Sequence, residues 1–113
     1  MEIITGKLDL EGLKRLAAAR FGDMIKAVVD IDKEIVAVDA ELHSDLEALL
    51  LDKGSKQKDL WGINLYPDLQ GDGFIEYDSM INVRPSQGNK SRSVDNEAVR
   101  QKIVSIVGRR ISR

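Results

Sequence analysis

Charged and amide side chains recur at alternate positions in the segment Phe74–Arg84. If this segment is a strand, then Glu76, Asp78, Asn82 and Arg84 point to the same face of a sheet. Two carboxylates at this spacing can share a divalent cation or hold two different protonation states, and an arginine beside them can neutralise one of them. The segment therefore predicts either a site for such chemistry or a structural network, and we favour the network, in which Arg84 or Arg92 pairs with a carboxylate.

A polar loop at residues 85–93 follows this segment, and a second polar position precedes it. Asn89 and Arg92 lie in the loop, and Asn64 lies in a strand-like segment. Amide and guanidinium groups make directional hydrogen bonds that suit the recognition of a partner. We therefore expect a binding surface formed by a polar sheet face and this loop. Its candidate residues are Asn64, Asn82, Arg84, Asn89 and Arg92.

His43 is the only histidine, so it is the candidate general base. Glu76 and Asp78 are the other catalytic candidates, and with Glu41 they are the candidate metal ligands of a metal-assisted hydrolase. The segment Ser44–Glu47 already has a structural explanation, because it matches a capping box at the start of a helix. We therefore interpret His43 as a hydrogen-bonded loop residue and favour a non-catalytic binding or regulatory module without a cofactor.

The composition removes several classes of protein. The chain has no cysteine, which excludes disulfides, thiolate metal sites and cysteine nucleophiles. It also lacks the sequence patterns of serine hydrolases, phosphate-binding loops and dinucleotide-binding folds. No apolar stretch is long enough to cross a membrane and no signal sequence is recognisable, so we expect a cytoplasmic protein without a membrane partner.

Charge is distributed unevenly along the chain. Residues 1–83 carry 9 basic and 17 acidic side chains, whereas residues 84–113 carry 8 basic and 2 acidic side chains. This asymmetry leaves two alternatives: the two parts of the chain pack against each other, which we favour, or the basic part binds a nucleic-acid backbone. The candidates for backbone contacts are Lys90, Arg92, Arg100, Lys102 and Arg109.

Apolar periodicity and turn residues predict the elements that position these groups. The predicted elements are a strand at 1–5, a helix at 9–21, a hairpin of 25–31 and 34–38, a helix at 45–53, strands at 60–66 and 74–84, and a last helix capped by Asp95. Trp61 is expected in the core, with Gly62 and Asn64 on the opposite side of their strand. Residues 109–113 are expected to fray.

These elements predict an α+β fold with the order β-α-β-β-α-β-β-α. We expect one domain over residues 1–113, with a mostly antiparallel sheet of about five strands and three helices on one face. The strands at 60–66 and 74–84 are the expected route to self-association if either lies at an edge of the sheet. A protein partner is the other expected kind of contact.

Three strings of residues resemble a small bacterial domain family of unknown function. They are Glu41–Asp45, Gly54–Pro67 and Asp78–Arg92. The similarity extends over nearly the whole chain, and it implies a compact prokaryotic protein without fused domains. The resemblance supplies no activity, substrate or cofactor, so the functional expectations rest on the residues alone.

Overall fold

The computed structural model describes residues 1–113, which form seven strands and three helices. The strands are β1 (Glu2–Ile4), β2 (Leu8–Asp9), β3 (Ile25–Asp30), β4 (Ile35–Val38), β5 (Leu60–Leu65), β6 (Ile75–Glu76) and β7 (Ile111–Ser112). The helices are α1 (Leu10–Arg20), α2 (His43–Asp52) and α3 (Glu97–Arg110). The α+β class is therefore confirmed, and the observed order adds the two short strands β2 and β7 to the predicted one.

Five strands form one antiparallel sheet in the order β1-β4-β3-β5-β6. β3 and β4 are the predicted hairpin, and β5 agrees with the predicted strand at 60–66 to within one residue. β2 and β7 pair separately as a short parallel ladder. The Cα radius of gyration is 12.8 Å, which is close to the value of about 13 Å expected for a compact domain of 100 residues.

Helices cover both faces of the sheet, which corrects the prediction of helices on one face. On one face, Leu13 of α1 and Ile103 of α3 belong to the same buried cluster as Trp61. On the other face, Leu46 of α2 packs in a smaller cluster with Val28. β3 supplies buried residues to both clusters, so it needs an apolar residue at nearly every position instead of an alternating pattern.

Only one of the three helices, α1, begins with the capping residue that the sequence predicts. Asp9 caps α1 as predicted, because its carboxylate accepts a hydrogen bond from a backbone N–H of the first turn. Asn96 caps α3 in place of Asp95, one residue later than predicted. α2 begins at His43 with Leu42 at the capping position and without a side-chain cap, so the capping box predicted at Ser44–Glu47 is wrong.

The predicted strand at 74–84 is also wrong. Only Ile75–Glu76 pairs with β5, and Met80–Asn82 forms a turn of 3-10 helix. Arg84 makes an isolated antiparallel bridge to Asn89. The side chains of Glu76, Asp78, Asn82 and Arg84 therefore do not form one row on a sheet face.

The segment after α3 differs from the expectation of a frayed end. β7 pairs Ile111 with Leu8 of β2, and the side chain of Ile111 is buried in the main core. Arg110 donates a hydrogen bond to the backbone carbonyl of Glu34, which holds the end of α3 against the β3–β4 turn.

None of the three helices has the length and apolar character that crossing a membrane requires.

Candidate functional site

Residues 77–84 leave the sheet, and a side chain takes over the hydrogen bonds that a strand would otherwise make with the edge of β5. β6 pairs only with Asn64 and Leu65, so the preceding part of β5 lacks a neighbouring strand on that side. The Asn82 amide replaces it: Oδ1 accepts from the Gly62 N–H at 2.8 Å, and Nδ2 donates to the Gly62 carbonyl at 2.9 Å. This side chain therefore satisfies both backbone groups as a partner strand would.

Arg84 satisfies the next part of the same edge. Its guanidinium donates to the backbone carbonyls of Leu60, Gln57 and Ile81 and stacks over the Trp61 ring at 4.4 Å. Burial lowers the pKa of Arg84 from its ordinary value, yet the group stays charged, because arginine does not deprotonate in proteins. Arg84 has no carboxylate partner, so the expected ion pair is absent at this residue.

Asn89 organises the loop at residues 85–93. Its Nδ2 donates to the carbonyls of Asn82, Ser91 and Ser93, and its Oδ1 accepts from the Asp95 N–H. The side chain is only 3% exposed, and all of these partners lie within the chain. The hydrogen bonds of Asn89 therefore hold the loop, and those of Asn82 and Arg84 complete the edge of β5.

Five of the six remaining sequence candidates come together in a cleft between the start of α2 and the sheet. The cleft has a volume of about 370 Å³. It gathers His43, Asn64, Glu76, Asp78 and Arg92, which the sequence had singled out for different reasons. We call it the polar cleft. It is lined by Met24, Lys26, Leu42, His43, Ser44, Asn64, Glu76, Asp78, Ser79, Met80, Ile81 and Arg92.

His43 is the first residue of α2, and the residue is 7% exposed. Nε2 lies 2.8 Å from the Ile63 carbonyl, which can only accept, so this nitrogen carries the proton. Burial lowers the pKa of His43, Lys26 and Arg92 lower it further, and the Ile63 carbonyl and Asp78 oppose them. The ring is therefore neutral near pH 7, and Nδ1 is an acceptor that makes no hydrogen bond within the chain.

Asn64 and Glu76 face each other across β5 and β6. Nδ2 of Asn64 donates to Oε1 of Glu76 at 2.8 Å, and the Tyr66 hydroxyl donates to the same oxygen at 3.2 Å. These bonds fix the orientation of the Asn64 amide and leave its buried Oδ1 without a partner. Burial and the neighbouring carboxylate raise the pKa of Tyr66, which keeps its hydroxyl a donor.

Asp78 and Arg92 form the ion pair that the sequence predicted between a carboxylate and an arginine. Arg92 Nε lies 2.7 Å from Asp78 Oδ1, and both side chains are about half exposed. The other carboxylate oxygen and the two terminal guanidinium nitrogens make no hydrogen bond within the chain. The pair therefore anchors the loop to the cleft and still has donors and an acceptor free for a further contact.

The metal candidates are not brought together. Glu41 is exposed and lies outside the polar cleft, near Arg20. No group of three or more His, Asp or Glu side chains is close enough to hold a metal ion. Glu76 and Asp78 remain neighbours in the cleft, but each is already bonded to a side chain of the protein, Asn64 and Arg92 respectively.

Seven of the twelve residues that line the cleft are not among the sequence candidates, and three of these seven bear on binding. Lys26 is the only charged residue inside the apolar run Ile25–Val29, and that interruption is a signal that could have been read. Leu42 and Met80 form an apolar rim and are 56% and 65% exposed. Their spacing carries no signal, because their exposure follows from how α2 and the 3-10 turn approach the sheet.

A larger groove of about 660 Å³ lies between α3 and residues 71–77. Its arginines are already engaged: Arg100 donates to the Val94 carbonyl and stacks on Tyr77, and Arg113 stacks on Phe74. The polar cleft has more charged and hydrogen-bonding groups without an internal partner, so we consider it the candidate functional site.

The basic side chains of residues 84–113 are mostly used inside the molecule. Arg109 pairs with Glu34, and Arg110 bonds to the carbonyls of Glu34 and Gly6. Five of the eight basic side chains make hydrogen bonds within the chain. They are Arg84, Arg92, Arg100, Arg109 and Arg110. Packing between the two parts of the chain thus accounts for much of the charge asymmetry.

The fold and the cleft define a compact α+β protein with a candidate ligand site on one face of its sheet. Residues 2–110 match the family model described as "Protein of unknown function (DUF5674)", and the chain belongs to this family. The match extends over nearly the whole chain, which confirms the resemblance to a domain family of unknown function. No curated protein and no solved structure matches the chain.

Proposed function

We propose that the protein is a binding module that holds a small polar ligand in the polar cleft. The proposal is supported by one observation: hydrogen-bonding atoms that have no partner within the chain are gathered there. His43 Nδ1 and Asn64 Oδ1 are acceptors of this kind. The terminal nitrogens of Arg92 are donors of this kind. The Lys26 ammonium makes no hydrogen bond or ion pair within the chain, and its one contact is with the Phe21 ring, 5.7 Å from the ring centroid.

Unpaired polar groups favour a ligand because pairing them recovers free energy. A buried polar atom without a partner costs about 1 to 3 kcal/mol relative to a paired one. Asn64 lies deep in the cleft at 6% exposure, whereas Arg92 lies at its mouth. A ligand in the cleft gains selectivity from the shape of the buried part and attraction from the exposed charge.

A thermal-shift screen tests this function. Amines, carboxylates, zwitterions and phosphates of low molecular mass would be added at millimolar concentration to the wild type and to the variant Lys26→Gln/Arg92→Gln. A ligand at ten times its dissociation constant stabilises the native state by about 1.4 kcal/mol, which raises the Tm by about 5 °C. We expect such a shift in the wild type and its loss in the variant.

The control is Lys90→Gln/Lys102→Gln, which removes the same charge from two exposed lysines outside the cleft. It should keep the shift seen with the wild type. If no class of compound raises the Tm, or if the cleft variant keeps the full shift, the proposed function is wrong. A protein partner would then become the leading interpretation of the polar surface.

A catalytic role for the same cleft is the second candidate, and one observation favours it. His43 is neutral near pH 7, its Nδ1 has no partner within the chain, and the residue lines the cleft, as a general base would. NMR spectra of any compound that binds, recorded over hours with the protein present, would detect a product. Unchanged ligand spectra would leave binding alone as the function.

The cellular setting is part of the proposal. We place the protein in the cytoplasm of a bacterium, as the sequence indicates. Fractionation of cells that express the chain, followed by immunodetection, would test the cytoplasmic location.

A further inference from the structure

One row of side chains crosses three strands beneath the start of α2. Lys26 of β3 lies opposite Asn64 of β5, and Asn64 lies opposite Glu76 of β6. Residues that lie directly opposite in antiparallel strands point to the same face of the sheet. The polar cleft thus has a cation at one end, a neutral amide in the middle and a carboxylate at the other end.

The separation of the two charges follows from the geometry of a sheet. Adjacent strands lie about 4.8 Å apart, so the backbone positions of Lys26 and Glu76 are about 10 Å apart. Lys26 makes no ion pair, although its ammonium lies over the Phe21 ring at 5.7 Å, and Glu76 is bonded through Oε1 only. Neither end of the row is therefore neutralised by a partner within the chain.

The other titratable groups of the cleft leave this dipole in place. Asp78 and Arg92 are bonded to each other at 2.7 Å, so their charges largely cancel. His43 is buried and donates to the Ile63 carbonyl, and it adds no charge near pH 7. The cleft has no net charge, but its charges are separated along the row.

An apolar strip lies beside the row. The exposed side chains of Leu42 and Met80 both line the cleft, and Met24 lines it as well. Methylene groups of a ligand would be covered by such a rim, which adds to binding through the hydrophobic effect.

We propose that the ligand is a small linear zwitterion, with its carboxylate at Lys26, its ammonium at Glu76 and its methylene chain against Leu42 and Met80. This inference rests on the proposed function and names the ligand class of that same cleft.

Four probes of matched size test the ligand class, with dissociation constants measured by NMR titration. 5-Aminopentanoate carries both charges at opposite ends of the chain, and 2-aminopentanoate is its isomer with adjacent charges. Pentylamine and pentanoate each carry one of the two charges. We expect 5-aminopentanoate to bind about tenfold more tightly than the other three, which is the effect of one additional charge-assisted contact.

Two conservative variants assign the ends of the ligand. Lys26→Gln should weaken 5-aminopentanoate to the affinity of pentylamine and leave pentylamine itself unchanged. Glu76→Gln should weaken it to the affinity of pentanoate, and the fold is retained because the glutamine Oε1 still accepts from Asn64 and Tyr66. Glu41→Gln and Lys102→Gln change exposed charges outside the cleft and should leave every dissociation constant unchanged.

The outcomes separate this inference from the proposed function. If the two singly charged probes bind as tightly as 5-aminopentanoate, or if either cleft variant leaves its affinity unchanged, the zwitterion is the wrong ligand class. If inorganic phosphate binds instead and Lys26→Gln abolishes that binding, the ligand class is wrong and the binding function stands. If no probe shifts the NMR signals of the cleft residues, both proposals are overturned.

Discussion

Arg84 is a buried charge whose partners are backbone carbonyls and an aromatic ring. Its guanidinium holds Leu60 at the edge of β5 and also reaches Gln57 and Ile81, so one side chain joins three segments of the chain. Trp61 covers one face of the guanidinium. At the scale of single residues, the polar side chains of the segment 74–84 thus include some that complete the fold.

Replacing Arg84 by alanine should therefore destabilise the protein. Three carbonyls would lose their donor and the contact with Trp61 would disappear, at a cost of about 3 kcal/mol. Urea denaturation, compared with the wild type and with Lys90→Ala, would measure this cost. Lys90 has an exposed side chain without a hydrogen bond or ion pair, so its variant should stay within about 0.5 kcal/mol of wild type. An unchanged unfolding midpoint in Arg84→Ala would contradict this role.

His43 should make stability depend on pH. Its pKa in the folded protein is lowered below the ordinary value of 6.5, chiefly by burial, so the unfolded chain binds the proton more readily. The stabilisation is complete above pH 6.5 and is lost as the pH falls towards the folded pKa. Between pH 7 and pH 5.5 the free energy of unfolding should therefore fall, because the unfolded chain takes up the proton at His43 more readily than the folded protein.

The comparison variant for this prediction is His43→Gln, whose side-chain amide can still donate to the Ile63 carbonyl. Urea denaturation at several pH values should give a flatter dependence in the variant than in the wild type. Lys26, Arg92 and Asp78 are the charged groups that act on the ring, and they are the same in the variant and in the wild type. Parallel pH profiles would show that His43 does not titrate as described.

At the scale of elements, β5 is the strand on which the site depends. Its two faces contribute differently, since Trp61 enters the main core and Asn64 lines the polar cleft. Its free edge is completed by Asn82, whose amide pairs with the Gly62 backbone. Ser79 packs directly over Gly62, which brings the 3-10 turn and its exposed Met80 to the rim of the cleft.

Gly62→Ala should disrupt this contact. A Cβ at residue 62 would lie 2.6 Å from the buried side chain of Ser79 and 3.1 Å from Ile81, so the turn would have to move. We expect a loss of about 1 to 3 kcal/mol, the usual effect of overpacking, measured by urea denaturation. In Gly108→Ala the new Cβ meets nothing within 4 Å, and the helix should gain about 0.5 to 1 kcal/mol. Equal effects of the two substitutions would refute the packing argument.

The sequence predicts most elements but not the path of the chain around the cleft. Apolar periodicity locates α1, α3 and the β3–β4 hairpin. The alternation in residues 74–84 is misleading. Asn82 and Arg84 are spaced as in a strand, but their side chains bond to the edge of β5 in place of a neighbouring strand. The two-residue strands β2 and β7 are too short to show a period at all.

The sequence likewise identifies the residues of the candidate site but not how they assemble. His43, Asn64, Glu76, Asp78 and Arg92 were identified by residue type, and the fold brings them into one cleft. Their assembly depends on strand register and on the approach of α2, which spacing along the chain does not determine. Asn82 and Asn89 have the same residue type as Asn64 but are bonded inside the fold, and only the contacts distinguish them.

At the scale of the whole molecule, charge and packing connect distant parts of the sequence. Arg109 and Arg110 bind Glu34, so the basic end of α3 is held by the turn between β3 and β4. Arg92 and Asp78 join the loop to the cleft in the same way. The uneven charge along the chain thus becomes a set of contacts that hold the core and the candidate site in one structure.

The parallel ladder between β2 and β7 has a consequence for how the protein is made. It joins Leu8 to Ile111, residues at opposite ends of the described sequence, and Ile111 completes the main core. A ribosome synthesises the chain from its N-terminus, so β1, β3, β4 and β5 emerge and can pair first. The main core closes only after residue 111 has left the ribosome, and until then the nascent chain exposes the apolar surface that α3 and β7 later cover.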